Sequence, residues 1–423
     1  MAQLSDDCFA FAGPLLPIAE MEKLIVQRIA PVAECQRVAL KSALGRVLAA
    51  DVVAAADVPP FDNSAVDGFA VRSADLDPQV ETRLAVVERV LAGQAPTRTL
   101  GPREAVRIFT GAPMPEGADT VFMQEDTRRV GDFVLLPPGL EQGANRRLAG
   151  EDVRTGSVIL PAGRRLDAQH LALAAAVGLT ELQVRRRVRV AMFSTGDEIV
   201  EPGSARPRPA LFDSNRYLLG GLLERLGAEI TDLGILPDEP EQLGAALAAA
   251  ADGHDLVLTS GGVSTGEADH VRDVVEKIGR LVFWRVGIKP GRPVAMGVIP
   301  GRSNMSAAFV GLPGNPAAVF VTFVRVVRPL LLRLAGALPD PLVPLPVRAA
   351  FDYSKRKGRR EYVRVTLRHS PTGDVEALKY AKDGAGIITS LTETDGLVEL
   401  PEDTTTIEPG ATVGFLSYAA LTR

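Results

Sequence analysis

Cysteine is nearly missing: Cys8 and Cys35 are the only two in 423 residues. Two thiols so placed cannot build a zinc site or a disulfide framework, and they point to a reducing, cytoplasmic setting. A basic excess is lacking too, with a formal net charge of -5. A surface made to neutralise nucleic-acid phosphates would be basic, so the runs VRRRVR and SKRKGRR read as solvated faces, and no nucleic-acid partner is expected. The four histidines show no metal-ligand spacing, no Ser-His-Asp or Cys-His arrangement is visible, and GxxxxGK[ST] is missing. Covalent nucleophilic catalysis and the ordinary P-loop are thereby disfavoured. The longest apolar run, AAVFVTFVRVVRPLLLRL, is broken by Arg325, Arg328 and Pro329 and reads as a buried helix, so no membrane partner is expected. The N-terminal MAQLSDDCFAFAG carries acid where an export signal would carry Lys or Arg.

What is present is a folding chain, 46% hydrophobic and 23% charged. At about 150 residues per domain its length suggests roughly three cores. From Arg189 to Leu334 strands alternate with helices. RVAMF is followed by DSNRYLLGGLLERLG, which has Asp213 or Ser214 as N-cap and Gly227 as its stop; EITDLGIL is followed by PEQLGAALAAAA, opened by Pro240; DLVLTS is followed by EADHVRDVVEKIG. This order implies a doubly wound α/β domain with a parallel sheet, which binds ligands at the carboxyl ends of its strands. ALPDPLVPLPV then reads as a semi-rigid connector, and REYVRVTLRH, TDGLVELP and ATVGFLSY as strands of a small β-barrel or sandwich. PIAEMEKLIVQRIA and LDAQHLALAAAV read as amphipathic helices flanking a β-rich insert. The expected division is a discontinuous helical and extended domain over 14–55 and 155–186, a β-rich insert over 56–154, the doubly wound domain over 187–336 and a β-barrel domain over 337–423.

The strand ends carry the chemistry. FSTGDEIVEPG supplies Gly196, Asp197 and Glu198; LPDEP supplies Asp238 and Glu239; TSGGVSTGEADH supplies Ser260, Gly261, Gly262, Glu267 and Asp269. Glycines let backbone N–H groups approach an anion, whereas carboxylates would repel it. Both fit together if a divalent cation lies between, since Mg²⁺ takes one or two carboxylates and fills its shell with phosphate oxygens and water. Helix capping is the competing account, preferred for Asp197, Glu239 and Glu267 and left open for Glu198, Asp238 and Asp269. In IKPGRPVAMG, Lys289 and Arg292 flank a stiff turn suited to an anionic group, or are two solvated charges. GLPGNPAAVF offers Gly314, Asn315 as N-cap and Pro316 at the first helical position. Outside the sheet, VPPFDNSAVDGFAVR holds Asp62, Asn63, Ser64 and Asp67, RIFTGAPMPEGADTVFMQED holds Thr110, and NRRLAGEDV holds Arg146, Arg147, Glu151 and Asp152; turn chemistry alone could explain each.

In order along the chain, PPFDNSAVDGFAVR, RIFTGAPMPEGADTVFMQED, FSTGDEIVEPG, DSNRYLL, TSGGVSTGEADH, IKPGRPVAMG, GLPGNPAAVF and GRREYVRV resemble the motifs of the molybdopterin molybdotransferases, relatives of the enzymatic C-terminal domain of gephyrin. The resemblance runs from about Pro17 to the C-terminus. TSGGVSTGEAD alone is less specific, because molybdopterin adenylyltransferases share it.

The resemblance implies an elongated four-domain subunit forming a homodimer, with the site between the doubly wound domain and the partner subunit's insert. It implies a transferase of molybdenum cofactor biosynthesis that takes adenylylated molybdopterin and molybdate and, with Mg²⁺, inserts molybdenum while AMP leaves. Carried over motif by motif, it marks Asp67, Glu198, Asp269 and Lys289 as catalytic, with Glu198 and Asp269 on the metal. It marks Thr110, Asp152, Asp238, Ser260, Gly261, Gly262, Arg292, Gly314, Asn315 and Arg359 as substrate-binding. Arg292 stands where many relatives have Lys, so a bidentate fork replaces a point charge. A molybdopterin adenylyltransferase and molybdoenzyme maturation proteins are implied as partners. The rival readings are an adenylyltransferase acting a step earlier and a gephyrin-like scaffold.

Overall fold

The run RVAMFST forms a strand, β1 (Arg189–Thr195), buried at every position after the first. The computed structural model to which it belongs describes residues 16–32, 34–262, 270–291, 293–301, 306–371 and 373–423. After β1 come helix α1 (Asn215–Arg225), β2 (Glu229–Leu236), α2 (Pro240–Gly253), β3 (Leu256–Ser260), α3 (His270–Ile278), β4 (Arg280–Arg285), β5 (Ile288–Lys289), β6 (Pro293–Pro300) and β7 (Ser306–Leu312). Local chemistry sets these bounds. Asp213 Oδ1 accepts from the Arg216 backbone N–H at 3.1 Å, Gly227 ends the following turn at φ +78°, and Pro240 occupies the first turn of α2, where its missing N–H costs nothing.

Six strands form the central sheet in the order β2-β1-β3-β7-β6-β4. The pairs β1–β2, β1–β3 and β3–β7 are parallel, as expected from the alternating helices. The far half departs from the expected parallel sheet: β6 runs antiparallel to both β7 and β4. The link between β4 and β6 is only residues 286–292, too short for a parallel crossover, which needs about a dozen residues or more.

Both faces of the sheet are covered, and the period of two along β1 shows how. Val190 and Met192 join one core with Leu219, Leu222 and Leu223 of α1. Ala191 and Phe193 join the other with Leu243 and Leu247 of α2 and Val271, Val274 and Val275 of α3. Burying a side chain such as Phe193 or Phe309 contributes about 1.5–3 kcal/mol each.

The run AAVFVTFVRVVRPLLLRL is a buried helical stretch, as expected: α4 (Pro316–Thr322), a π-helical turn (Phe323–Val327) and α5 (Arg328–Leu334). Its buried arginines are paired, Arg325 with Glu22 at 3.1 Å and Arg328 with Asp340 at 2.7 Å. No helix among the described residues is long and apolar enough to cross a membrane.

Helices Ile18–Arg28 and Ala168–Ala176 flank a separate six-stranded mixed sheet built between Gly68 and Leu136. Beyond the extended segment 337–344, strand β8 (Arg360–His369) pairs with Val375–Lys379 on one side and Gly396–Leu400 on the other. With Leu345–Ala349 and Thr412–Ser417 this closes a five-stranded barrel, so the barrel alternative, not the sandwich, is the one formed. Strand β5, from the central unit, adds to the edge of β8 in parallel.

Candidate active site

Register places several loops on one edge. Thr195 of β1 lies opposite Leu236 of β2, Ser194 opposite Ser260 of β3, and Ser260 opposite Leu312 of β7. The segments that follow, with Gly196–Glu198, Asp238, Gly261–Gly262 and Gly314–Asn315, therefore leave the sheet side by side. Gly262 has φ +66°, and a Cβ there would come within 2.8 Å of Thr195 Cγ2 and 2.7 Å of Val271 Cγ2. Only glycine fits so close a turn. At Gly196, with φ +130°, a Cβ would lie 2.6 Å from Glu198 Oε2, so the Glu198 carboxylate folds back over the loop.

The rim is acidic. Burial raises the Asp238 carboxyl above its ordinary pKa; His270 opposes the shift, and the charges of Asp197 and Glu198 add to it. Asp238 Oδ1 is buried and takes no hydrogen bond among the described residues, and the same holds for Ser194 Oγ, Thr195 Oγ1 and Thr259 Oγ1 on the adjoining strands. An unmet buried polar atom costs about 1–3 kcal/mol, and ligand sites are where such atoms find partners. The turn at 197–198 leads into a short parallel pairing of Ile199–Val200 with Leu211–Phe212, with no helix starting there, so the capping account expected for Asp197 fails. Glu198 and Asp238 offer hard oxygen donors that fit a divalent cation sharing its shell with phosphate. No group of three or more His, Cys, Asp or Glu among the described residues could hold a metal unaided. Glu267, Asp269 and Arg292 lie outside the described residues.

Next along the edge is a cationic cleft. A cavity of about 620 Å³ lies between the central unit and the barrel, lined by Lys289, Gly291, Asn315, Tyr353 and Lys379 among others. The barrel reaches the start of α4 through Ala317 N–H donating to Ala385 O at 2.9 Å. Asn215 Nδ2 donates to Gly314 O at 2.7 Å, tying the start of α1 to the loop between rim and cleft. Asn315 precedes α4 as its N-cap but makes no side-chain capping hydrogen bond. Lys289 Nζ lies 3.2 Å from Glu361 Oε2, and Arg359 Nε lies 2.6 Å from Glu361 Oε1, so two cations distant in sequence meet at one carboxylate.

The insert holds its own pair. Asp67 Oδ1 accepts from Thr110 N–H and from Thr110 Oγ1, each at 2.8 Å. These bonds, the backbone one foremost, hold the Asp67 carboxyl below its ordinary pKa, and the nearby Arg107 charge adds to the effect. Arg107 donates to Gly68 O at 2.9 Å and lies over the Phe69 and Phe109 rings. Asp62 pairs with Arg146 and accepts from Ala149 N–H at 2.7 Å. Asp152 is exposed, and its backbone N–H donates to Val58 O at 3.0 Å. Among the described residues the Asp67 carboxylate is held within the insert, by Thr110.

Sequence reasoning passed over Glu361, Arg107 and Asn215, although each sits within or beside a quoted motif. The signal for Glu361 is a carboxylate inside a strand whose neighbours Tyr362, Val363, Arg364 and Val365 are all buried. An unpaired acid would not be stable there, so a nearby cation was required.

Comparison with known proteins adds the remaining findings. Three family descriptions match: MoeA N-terminal region (domain I and II) over residues 16–178, probable molybdopterin binding domain over 191–333, and MoeA C-terminal region (domain IV) over 346–418. The chain is 37% identical over 376 residues to a molybdopterin molybdenumtransferase of Haemophilus influenzae, covering 88% of this chain and 91% of that protein. It is 37% identical over 416 residues to the protein of that name from a Nostoc species, covering 95% and 94%. A crystal structure of a molybdopterin biosynthesis moeA protein from Pyrococcus horikoshii OT3 superposes with a TM-score of 0.80 at 30% identity, covering 96% of this chain and 100% of that one.

Proposed function

The chain belongs to the molybdopterin molybdenumtransferase family, transferases of molybdenum cofactor biosynthesis, and from that premise we propose that it inserts molybdenum from molybdate into adenylylated molybdopterin with release of AMP, using Mg²⁺ and acting as a homodimer. The observation that carries this reading is the pairing, on one sheet edge, of an acidic rim, with a buried carboxylate oxygen that has no partner among the described residues, and a cleft lined by Lys289, which meets Arg359 at Glu361.

The roles follow from charge. Glu198 and Asp238, with Asp269 of the GEAD motif, would hold the Mg²⁺. A bound Mg²⁺ supplies electrophilic polarisation of the phosphoric anhydride. Gly261 N–H donates to Leu312 O at 3.0 Å, which ties the turn to β7, so the backbone dipole offered to the adjacent phosphate oxygens is that of Gly262. Lys289, with Arg359 beside it on Glu361, binds molybdate at the cleft, whose wall includes Asn315; Gly314 and, by its place in the IKPGRP motif, Arg292 are assigned to the same substrate. Asp67, kept ionised by Thr110, orients the reacting groups from the other subunit's insert. Asp152 contributes a contact from the same insert.

The test is an assay of the purified protein with adenylylated molybdopterin, molybdate and Mg²⁺. AMP should appear only when molybdate is present, and Asp67→Ala should lower the rate by about 10²–10³-fold while the protein still folds. Pyrophosphate formed from ATP and metal-free molybdopterin, with no molybdate-dependent AMP, would replace this reading with that of an adenylyltransferase.

A further inference from the structure

The GRR run of the barrel offers two arginines, and they pair differently. Arg360 is taken up by Glu399 at 3.2 Å and Glu402 at 3.0 Å, whereas Arg359 turns to Glu361. Glu361 is only 1% exposed. Its Oε1 accepts from Arg359 Nε at 2.6 Å, and its Oε2 accepts from Lys289 Nζ at 3.2 Å and from Tyr353 OH at 2.8 Å. Burial alone would raise this carboxyl, but the hydrogen bonds from Tyr353, Arg359 and Lys289 outweigh it and hold the pKa below the ordinary value. The backbone reinforces the junction: Lys289 of β5 lies opposite Glu361 of β8, and Arg360 N–H donates to Gly287 O at 2.7 Å.

Each cation gives one N–H to Glu361 and keeps others for a ligand, since an ammonium has three donors and a guanidinium five. The Lys289 side chain is 50% exposed, so its remaining donors are accessible from the cleft. One buried anion set between two cations leaves the cluster net positive beside the cavity wall that Lys289 forms, and fixes where that charge sits.

We propose that Glu361 is a positioning residue for oxyanion capture: it holds the Lys289 ammonium and the Arg359 guanidinium on one carboxylate, so that a small tetrahedral dianion meets both already in place. The inference rests on the reading that these two cations bind molybdate. It also makes a prediction opposite in sign to simple electrostatics. Neutralising Glu361 makes the cleft more positive, which by charge alone would tighten a dianion; if Glu361 positions the cations, binding weakens because they lose their common anchor.

The experiment is calorimetric titration of the full-length protein with sodium molybdate, without pterin, for wild type, Lys289→Ala, Arg359→Ala, Glu361→Gln and the double variant Glu361→Gln/Lys289→Ala, each checked by thermal melting. Glu361→Gln should weaken molybdate by on the order of tenfold or more, since a displacement of about 1 Å in a positioned group costs up to a hundredfold. In turnover its KM for molybdate should rise while kcat changes little. In the double variant the two effects should fall well short of additive, because both act through one cation. Molybdate binding equal to or tighter than wild type in Glu361→Gln, with Lys289→Ala and Arg359→Ala both impaired, overturns the positioning role and leaves the molybdate cleft standing. Unimpaired binding in Lys289→Ala and Arg359→Ala removes the cleft itself, and the inference with it. Should Glu361→Gln not fold, Glu361→Asp serves instead: it keeps the charge but cannot span both cations, so it too should bind molybdate more weakly, and full affinity in that variant overturns the proposal.

Discussion

The rim and the cleft issue from the same edge of the central sheet and are tied through Asn215 and Gly314, yet they handle charge in opposite ways. At the rim Asp197, Glu198 and Asp238 stand near one another, Asp238 Oδ1 has no hydrogen-bond partner among the described residues, and its carboxyl is raised. At the cleft the cations converge on a buried Glu361 that is hydrogen-bonded on both oxygens. Like charges left uncompensated lower their energy when a counter-ion arrives; a compensated cluster has already met its desolvation cost and presents a fixed geometry. On the proposed reading the rim receives a cation, and the cleft presents cations.

The contrast can be broken from either side. The largest effect should come from Lys289→Glu, which sets a second carboxylate against Glu361 and turns the cleft repulsive; molybdate-dependent AMP release should fall by about 10²–10³-fold, and an assay at saturating molybdate checks whether the loss persists. Asp238→Asn should come next. It relieves the crowding of acids at the rim but removes a cation ligand, so the Mg²⁺ needed for half-maximal rate should rise by roughly 10–100-fold, and an unchanged Mg²⁺ titration would take the rim out of cation binding. The smallest effect sharpens the comparison through pH. Glu198 raises the Asp238 pKa because two nearby negative charges oppose one another, so Glu198→Gln should lower it. In the wild type, Asp238 gains its proton first as pH falls, while Asp67 stays ionised. The acid limb of the rate–pH profile should thus shift to lower pH in Glu198→Gln, measured at saturating Mg²⁺, and a shift to higher pH would contradict the proximity of the two carboxylates.

Much of the rim was legible because its signal is local. A strand ending in Gly-Asp-Glu or Gly-Gly announces both the backbone turn and the edge of the sheet at which its acids gather. The cleft was half legible: Lys289 sat on a recognisable turn and Arg359 within a basic run, but nothing local distinguished Arg359 from Arg360, or showed that both cations share an acid 72 residues from Lys289. Asp197 was misjudged for a related reason, since whether a helix or a pair of short strands follows β1 depends on packing across the sheet.

Hydrophobic period, turn residues and motif order, all properties of neighbouring residues, by themselves determined the class of fold, the separate β-rich insert, the buried helix with its arginines and the family resemblance. The tertiary structure alone decided that β6 turns back antiparallel, that the last unit closes as a barrel, that β5 is captured by β8 and that Glu361 lies between Lys289 and Arg359. Those outcomes depend on which distant strands pair, and strand pairing is a matter of long-range register and of burying charge only where a partner waits, which no short window of sequence contains.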